Sequence, residues 1–314
     1  MVIICIVNSW YHGLGAYSYL LETLGRKKQV EKIIFYSGGF FDAKVSCLSF
    51  FDFDQFGEKF EVVEGWAELD GAIGRISSDD ECLLITPSKL PYYAVRSLVN
   101  NDLKFSMLLV EEGIGSYGGF VQDIKAAVRE SRGWRRKIRA LFAYGYKKLV
   151  ISKYSASSEK WLNFNSDGSL NDRVVKAYRK ALVEISSQID EDIPDFDVVF
   201  LTSPFVELGL QSKEEYLTSL VKEGVKGRVL VKPHPIERIN KYEKIGFTVY
   251  SGGLSSELIL MSMFSKPEVY CFSSTSLYTS KIFFDLKVCR MKEGDKFYSS
   301  LSRSQKKIID LCSV

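Results

Sequence analysis

Short apolar runs recur along this chain, each stopping at small or polar residues just ahead of a helical pattern. The first is Val2-Ile-Ile-Cys-Ile-Val7, which opens into Asn8-Ser-Trp-Tyr-His-Gly-Leu-Gly15. A strand that is apolar throughout needs cover on both faces, and a strand–helix–strand alternation provides it. The repeat therefore calls for doubly wound parallel sheets. Further strands are expected at Lys32–Tyr36, Glu61–Val63, Glu81–Thr86, Lys104–Val110 and Leu149–Ile151. Helices are expected from the Asn8 turn through Leu24, at Trp66–Ile76 and at Tyr92–Asn101. A helix over Val174–Ile189 then runs into Asp190-Glu-Asp-Ile-Pro-Asp195, where the composition turns acidic and Pro194 ends the helix. That stretch reads as a linker between two domains, residues 1–190 and 191–314, a size each half can fill with its own core. The second half repeats the alternation, with strands at Val198–Leu201, Arg228–Lys232, Pro267–Phe272 and Lys287–Met291. Its helices are expected at Lys213–Lys222, Tyr278–Phe284 and Ser302–Leu311, the last packing back across the first domain.

A net charge of +3 is too small to argue for nucleic acid, and no recognition module for it is present. The six cysteines are scattered with no Cys-x-x-Cys pair, which fits a reducing cytoplasm better than a disulfide framework. The apolar N-terminus lacks a basic leader and no run reaches transmembrane length, so a cytoplasmic location is expected. The most basic stretch, Arg129–Lys148, places Trp134, Ile138, Leu141 and Phe142 roughly on one helical face. It reads either as a surface for an anionic membrane leaflet or lipid-linked pyrophosphate, or as a solvated face whose apolar stripe packs on the domain. Asp52-Phe-Asp54 matches a metal-binding Asp-x-Asp but sits in an aromatic-rich loop, and it reads as ordinary loop acid.

Three features mark the second half as a phosphate-ester site. Pro233 and Pro235 flank His234 and stiffen the turn after a strand, where the imidazole is placed to donate to a departing phosphate. Ser273-Ser274-Thr275-Ser276 set hydroxyls and backbone N–H groups at a helix N-terminus, which attracts an anion without a metal. Between them Glu257 opens a helix with an acceptor-only carboxylate suited to a ribose or a base edge. Upstream, Glu111-Glu112-Gly113 ends a strand, and Gly113-x-Gly115-x-x-Gly118 formally matches the dinucleotide fingerprint. Two carboxylates at that strand tip would repel a pyrophosphate, and no second strand ends in a ribose-binding acid. A general base is the better reading, Glu112 first and Glu111 as alternate or supporting partner. Asn8, His12, Gly113 and Glu207 lie at strand ends and are weaker candidates for the acceptor side, with His12 also suited to capping its turn.

Lys232-Pro233-His234-Pro235, the Ser-Glu-Leu start at Glu257, Ser273-Ser274-Thr275 and Glu111-Glu112-Gly113 resemble, in order, the motifs of bacterial sialyltransferases. The nearest likeness at this length is to glycosyltransferase family 52, the lipooligosaccharide and capsule sialyltransferases, and bacterial polysialyltransferases share the same motifs. Those families usually carry at least one Asp where this chain has two Glu, which leaves open which of the pair acts. The resemblance implies a GT-B fold, two Rossmann-like domains with a cleft between them. It also implies inverting, metal-independent and cofactor-independent transfer of sialic acid from CMP-sialic acid to a sugar hydroxyl, galactose being the expected acceptor. An oligosaccharide or lipid-linked surface glycan would carry that hydroxyl. Glu112 would take the acceptor proton, and His234 would donate to the CMP phosphate. Ser273, Ser274 and Thr275 would hold that phosphate, with Lys232, Pro235 and Glu257 around the nucleotide. The rival readings are a CMP-Kdo or other nucleotide-sugar transferase, a dinucleotide oxidoreductase built on Gly113–Gly118, and a non-catalytic module binding through Arg129–Lys148.

Overall fold

The structure is a computed structural model. It describes residues 1–25, 30–37, 51–87, 92–111, 113–117, 159–222, 225–242, 245–292 and 295–314, with scattered positions between 134 and 149. The chain divides into two units, Met1–Ala181 and Leu182–Val314. The break falls inside helix α4 (Asp172–Ser186), ahead of the acidic stretch expected as linker.

In the first unit six strands form one parallel sheet: β1 (Val2–Val7), β2 (Val30–Ser37), β3 (Gly57–Val63), β4 (Glu81–Pro87), β5 (Lys104–Val110) and β6 (Glu159–Trp161). Their spatial order is β3-β2-β1-β4-β5-β6. β1 pairs with β2 on one side and β4 on the other, in register Ile3 to Ile33 and Ile3 to Leu83. That central place is why all six of its residues are buried and none is polar. The sixth strand is Glu159–Trp161 rather than the expected Leu149–Ile151; Leu149 has helical backbone, and 150–151 lie outside the described residues.

Helix α1 (Trp10–Thr23) follows β1, its N-cap Ser9 accepting from the His12 N–H at 3.3 Å. Two glycines let this helix approach its neighbours. A Cβ on Gly13 would meet the Phe51 ring at 2.7 Å, and one on Gly15 the Tyr178 hydroxyl at 2.6 Å. Phe51, Phe53 and Phe56 then pack around Tyr17 as an aromatic layer. Helices α2 (Trp66–Ile73) and α3 (Tyr92–Asn100) supply Leu69, Ala72, Ile73, Ala94, Val95 and Leu98 to a core built on Ile4, Ile34 and Leu84. Ser97 donates to Asp70 between the two helices.

The second unit repeats the plan with β7 (Val198–Leu201), β8 (Val229–Lys232), β9 (Thr248–Val249), β10 (Glu268–Cys271) and β11 (Val288–Arg290). These are ordered β11-β10-β7-β8-β9, again all parallel. In each sheet the first strand lies inside, its next two strands extend one way, and the chain then crosses to the other side. The order reverses between β1 and β4 in one unit and between β7 and β10 in the other, and ligands of open α/β sheets bind at the carboxyl ends of such strands. Helices α5 (Lys213–Lys222), α6 (Ser256–Ser262) and α7 (Thr275–Phe284) connect these strands. The terminal helix α8 (Arg303–Cys312) starts on a Ser302–Gln305 capping box and packs on α7, within its own unit. Among the described residues no helix is long and apolar enough to cross a membrane. The basic stretch Arg129–Lys148 lies for the most part outside the described residues.

Candidate active site

β8 ends at Lys232, and the following Pro-His-Pro turn is closed by the Glu237 N–H donating to the His234 carbonyl at 2.8 Å. Pro235 sits at the second position of that turn, where its fixed φ is already suitable. The Glu237 carboxylate, wholly buried, reaches back into the turn and accepts from the His234 N–H at 2.6 Å. The same oxygen accepts from the Thr202 hydroxyl, which comes from the tip of β7. Its other oxygen accepts from Lys241 Nζ at 2.5 Å, from Tyr242 at 2.9 Å and from Tyr216 at 3.3 Å. Lys241, itself 4% exposed, also donates to Glu207 at 3.1 Å. Glu207 thus belongs to the support of the turn, where it also accepts from the Arg238 N–H at 3.0 Å. Burial raises its pKa, but Arg238 and Lys241 outweigh that and hold it below the usual range.

His234 Nδ1 lies 3.4 Å from the Ile236 N–H, which donates to it, so in the neutral ring Nε2 carries the proton. Burial is the main cause lowering its pKa from 6.5 to about 4; the Lys232 and Lys241 charges add to it, and Glu207 opposes. His234 is therefore a neutral hydrogen-bond donor at neutral pH. Because the folded pKa is depressed, the unfolded chain binds the extra proton first as the medium is acidified. The contribution of the neutral ring to stability, up to about 3 kcal/mol, is complete above pH 6.5 and is lost as pH falls toward 4. Urea midpoints of the wild type should accordingly drop more steeply over that window than those of His234→Asn. Parallel curves would show that the imidazole titrates normally.

Lys232 is half-buried, with Nζ 3.0 Å from the Pro233 carbonyl and 5.5 Å from the Tyr250 ring centroid. Burial lowers its pKa, against the pull of Glu257 and then Glu237. Glu257, 5% exposed, occupies the first turn of α6 behind the N-cap Ser255. It accepts from Thr279 at 2.9 Å and from Ser256 at 3.1 Å, while the Ser256 and Ser276 hydroxyls meet at 3.2 Å. The first turns of α6 and α7 are thereby joined around one carboxylate. Ser274 is the N-cap of α7, extended at φ −135, and its hydroxyl makes no capping bond. Thr275 is the first helical residue, so the N–H end of α7 lies at the carboxyl end of β10, on the switch side of the sheet. The Ser273 hydroxyl is occupied otherwise: it donates to Asp295 at 2.6 Å, and its N–H does so at 3.1 Å. Lys232, His234, Glu257, Ser274 and Thr275 thus share one edge of the second sheet.

The remaining candidates lie in the first unit. Glu111 follows β5 and is fully buried, accepting from the Asn163 N–H at 2.7 Å and bonded to the Tyr117 phenol. Asn163 in turn donates through Nδ2 to Tyr11 at 2.8 Å. Burial first, and then the neighbouring Glu111 charge, push the Tyr117 phenol far above its ordinary pKa. Glu112 lies outside the described residues, and so does Gly118. Gly113 turns the chain with φ +97 into a 3-10 helix at Ile114–Tyr117. A dinucleotide site needs its glycines at the switch strand ahead of an α-helix, whereas β5 is neither β1 nor β4, so this geometry does not support the fingerprint. His12 is 5% exposed and accepts at Nδ1 from the Asn8 N–H at 3.2 Å, capping the turn between β1 and α1.

Glu237, Thr202, Lys241 and Asp295 were not expected at the site. A carboxylate three residues after a turn-initiating residue is the signal that would have pointed to Glu237. Asp295 has no such local signature.

No curated protein matches the sequence. Among solved structures, UDP-GlcNAc 2-epimerase from Neisseria meningitidis bound to UDP-GlcNAc is similar at TM-score 0.55 and 12% identity, covering 99% of this chain and 90% of that one. S. aureus MnaA in a co-structure with UDP is similar at TM-score 0.53 and 12% identity, covering 99% and 86%. A sialyltransferase GT-B domain from Photobacterium damselae gives TM-score 0.45 at 12% identity, covering 89% and 88%. At such identities the likeness speaks for the fold, which is GT-B with two Rossmann-like units. The alpha-2,8-polysialyltransferase (POLYST) family matches residues 83–292, about two thirds of the chain. That span runs from β4 past β11 and takes in the Glu111-Glu112-Gly113, His234, Glu257 and Ser273–Thr275 motifs. The polysialyltransferases are one of the two groups that the motifs resemble, and the chain belongs to the alpha-2,8-polysialyltransferase family and is a glycosyltransferase.

Proposed function

We propose that the protein transfers sialic acid from CMP-sialic acid to a hydroxyl of a glycan, with inversion at the anomeric carbon. The family's linkage points to the 8-hydroxyl of a terminal sialic acid as acceptor, in place of the galactose expected from the motifs alone. The acceptor oxygen bonds to the anomeric carbon as the bond from that carbon to the CMP phosphate breaks. The electron pair leaves with the phosphate oxygen, and the acceptor proton passes to a carboxylate. Glu111 is buried and committed to Asn163 and Tyr117, which leaves Glu112 as the base.

The observation that carries this reading is a neutral histidine on the same sheet edge as the N–H end of α7. A leaving phosphate monoester gains negative charge, and an Nε2–H donor with helix N–H groups stabilises it without a metal ion. Glu257, each of whose oxygens accepts one hydroxyl bond among the described residues, keeps lone pairs for the ribose. Thermal unfolding with CMP, UDP and NAD tests the reading. CMP at about 100 times its Kd should add about 2.7 kcal/mol of stability, with UDP giving less and NAD none. Stabilisation by NAD alone would discard the proposal.

A further inference from the structure

We propose that Glu237 is a positioning residue for His234, its buried carboxylate holding the Pro-His-Pro turn so that the imidazole presents Nε2–H to the departing phosphate. The proposal rests on the reading of His234 as donor to the leaving group. Nothing in the expected motifs includes Glu237, and its place in the network is specific.

The two carboxylate oxygens have different duties. Oε1 takes Lys241, Tyr242 and Tyr216, which balance and immobilise the charge below the turn. Oε2 takes the His234 N–H and the Thr202 hydroxyl, which orient the turn itself. An ionised acceptor makes shorter and stronger hydrogen bonds than a neutral one, in keeping with the 2.6 Å contact to His234. From there the order reaches the ring in two further steps. The Glu237 N–H closes onto the His234 carbonyl at 2.8 Å, and the closed turn brings the Ile236 N–H to Nδ1 at 3.4 Å. With Nδ1 used as acceptor, the neutral ring keeps its proton on Nε2. Thr202 adds a second constraint, since its hydroxyl also lies 3.2 Å from the His234 N–H and belongs to the tip of β7. Glu237 therefore joins the ends of β7 and β8, one of which borders the switch point.

Stability is a poor reason to keep such an arrangement. A buried ion pair replaced by apolar residues of similar volume is often neutral or even stabilising. Lys241 and Glu237, at 4% and 0% side-chain exposure, are an expensive way to fill a core. Holding a donor in one tautomer and one direction is something that an apolar filling cannot do.

Two variants and two readouts test this. Glu237→Gln keeps the shape but loses the charge, and Thr202→Val removes only the hydroxyl. For folded Glu237→Gln, kcat with CMP-sialic acid should fall about 10- to 100-fold with the donor KM changed less than about 3-fold, and Thr202→Val should lose about 3- to 10-fold. The second readout needs no turnover. The chain has two histidines, so nitrogen-15 spectra resolve His234 from His12. Wild type should show His234 as a single Nε2–H tautomer, and both variants a mixture. Should Glu237→Gln fail to fold, Thr202→Val carries both measurements. Folded variants with unchanged kcat and a single tautomer overturn the proposal, and so does a lowered Tm with unchanged kcat. If wild type itself does not turn over CMP-sialic acid, the assigned reaction fails, while the tautomer comparison still decides the role of Glu237.

Discussion

His234→Ala should lower kcat for transfer from CMP-sialic acid by about 10²- to 10³-fold, the loss that follows removal of one donor to a developing oxyanion. The size of the effect can be read cleanly because the substitution spares the turn. Glu237 grips the backbone N–H of residue 234 rather than its ring, and the alanine variant retains that N–H. The Ile236 N–H loses its acceptor, but Ile236 is exposed and water replaces the bond. CMP affinity by calorimetry should change by less than about 10-fold, since the α7 N-terminus and Glu257 remain. A turnover within threefold of wild type would remove His234 from the departure of the phosphate.

The adjacent glutamates should respond in opposite ways. Glu111→Ala strips the Asn163 N–H and the Tyr117 phenol of a buried partner, and should cost about 2–4 kcal/mol of stability in urea titrations. Glu112→Gln should unfold like wild type yet lose about 10²- to 10⁴-fold in transfer, with CMP binding intact. A glutamine variant at 112 that still transfers sialic acid would rule that residue out as the base. A stable but inactive Glu111→Ala would instead shift the catalytic role to Glu111.

What could be read from the residues depended on how local each cause was. β1 and β7 announce themselves because a strand buried on both faces is apolar along its length, while β4 and β5 show an apolar run behind a charged first residue. β6, Glu-Lys-Trp, lies at the sheet edge and carries two charges in three residues, so no apolar run marks it. The two-residue β9 is shorter than any periodic signal. The Pro-His-Pro turn and the polar start of α7 were legible because proline and an N-cap act within a few residues. Other partners at the site were not, because they come from afar in the chain. Thr202 meets Glu237 across 35 residues, and Ser273 meets Asp295 across 22. For the same reason nothing near Glu111 in the sequence marks its buried partner, the Asn163 N–H, which lies 52 residues on, just past β6.

Every strand pairing in both described sheets joins neighbours that run the same way, and none is a hairpin. A growing or refolding polypeptide cannot build these described sheets by zipping one strand against the next across a tight turn. It must bring distant segments together before any ladder forms, at the full entropic cost of the intervening chain. Recovery from denaturant should therefore be slow and prone to clumping, and gentle production conditions will govern how readily the enzyme can be obtained in active form.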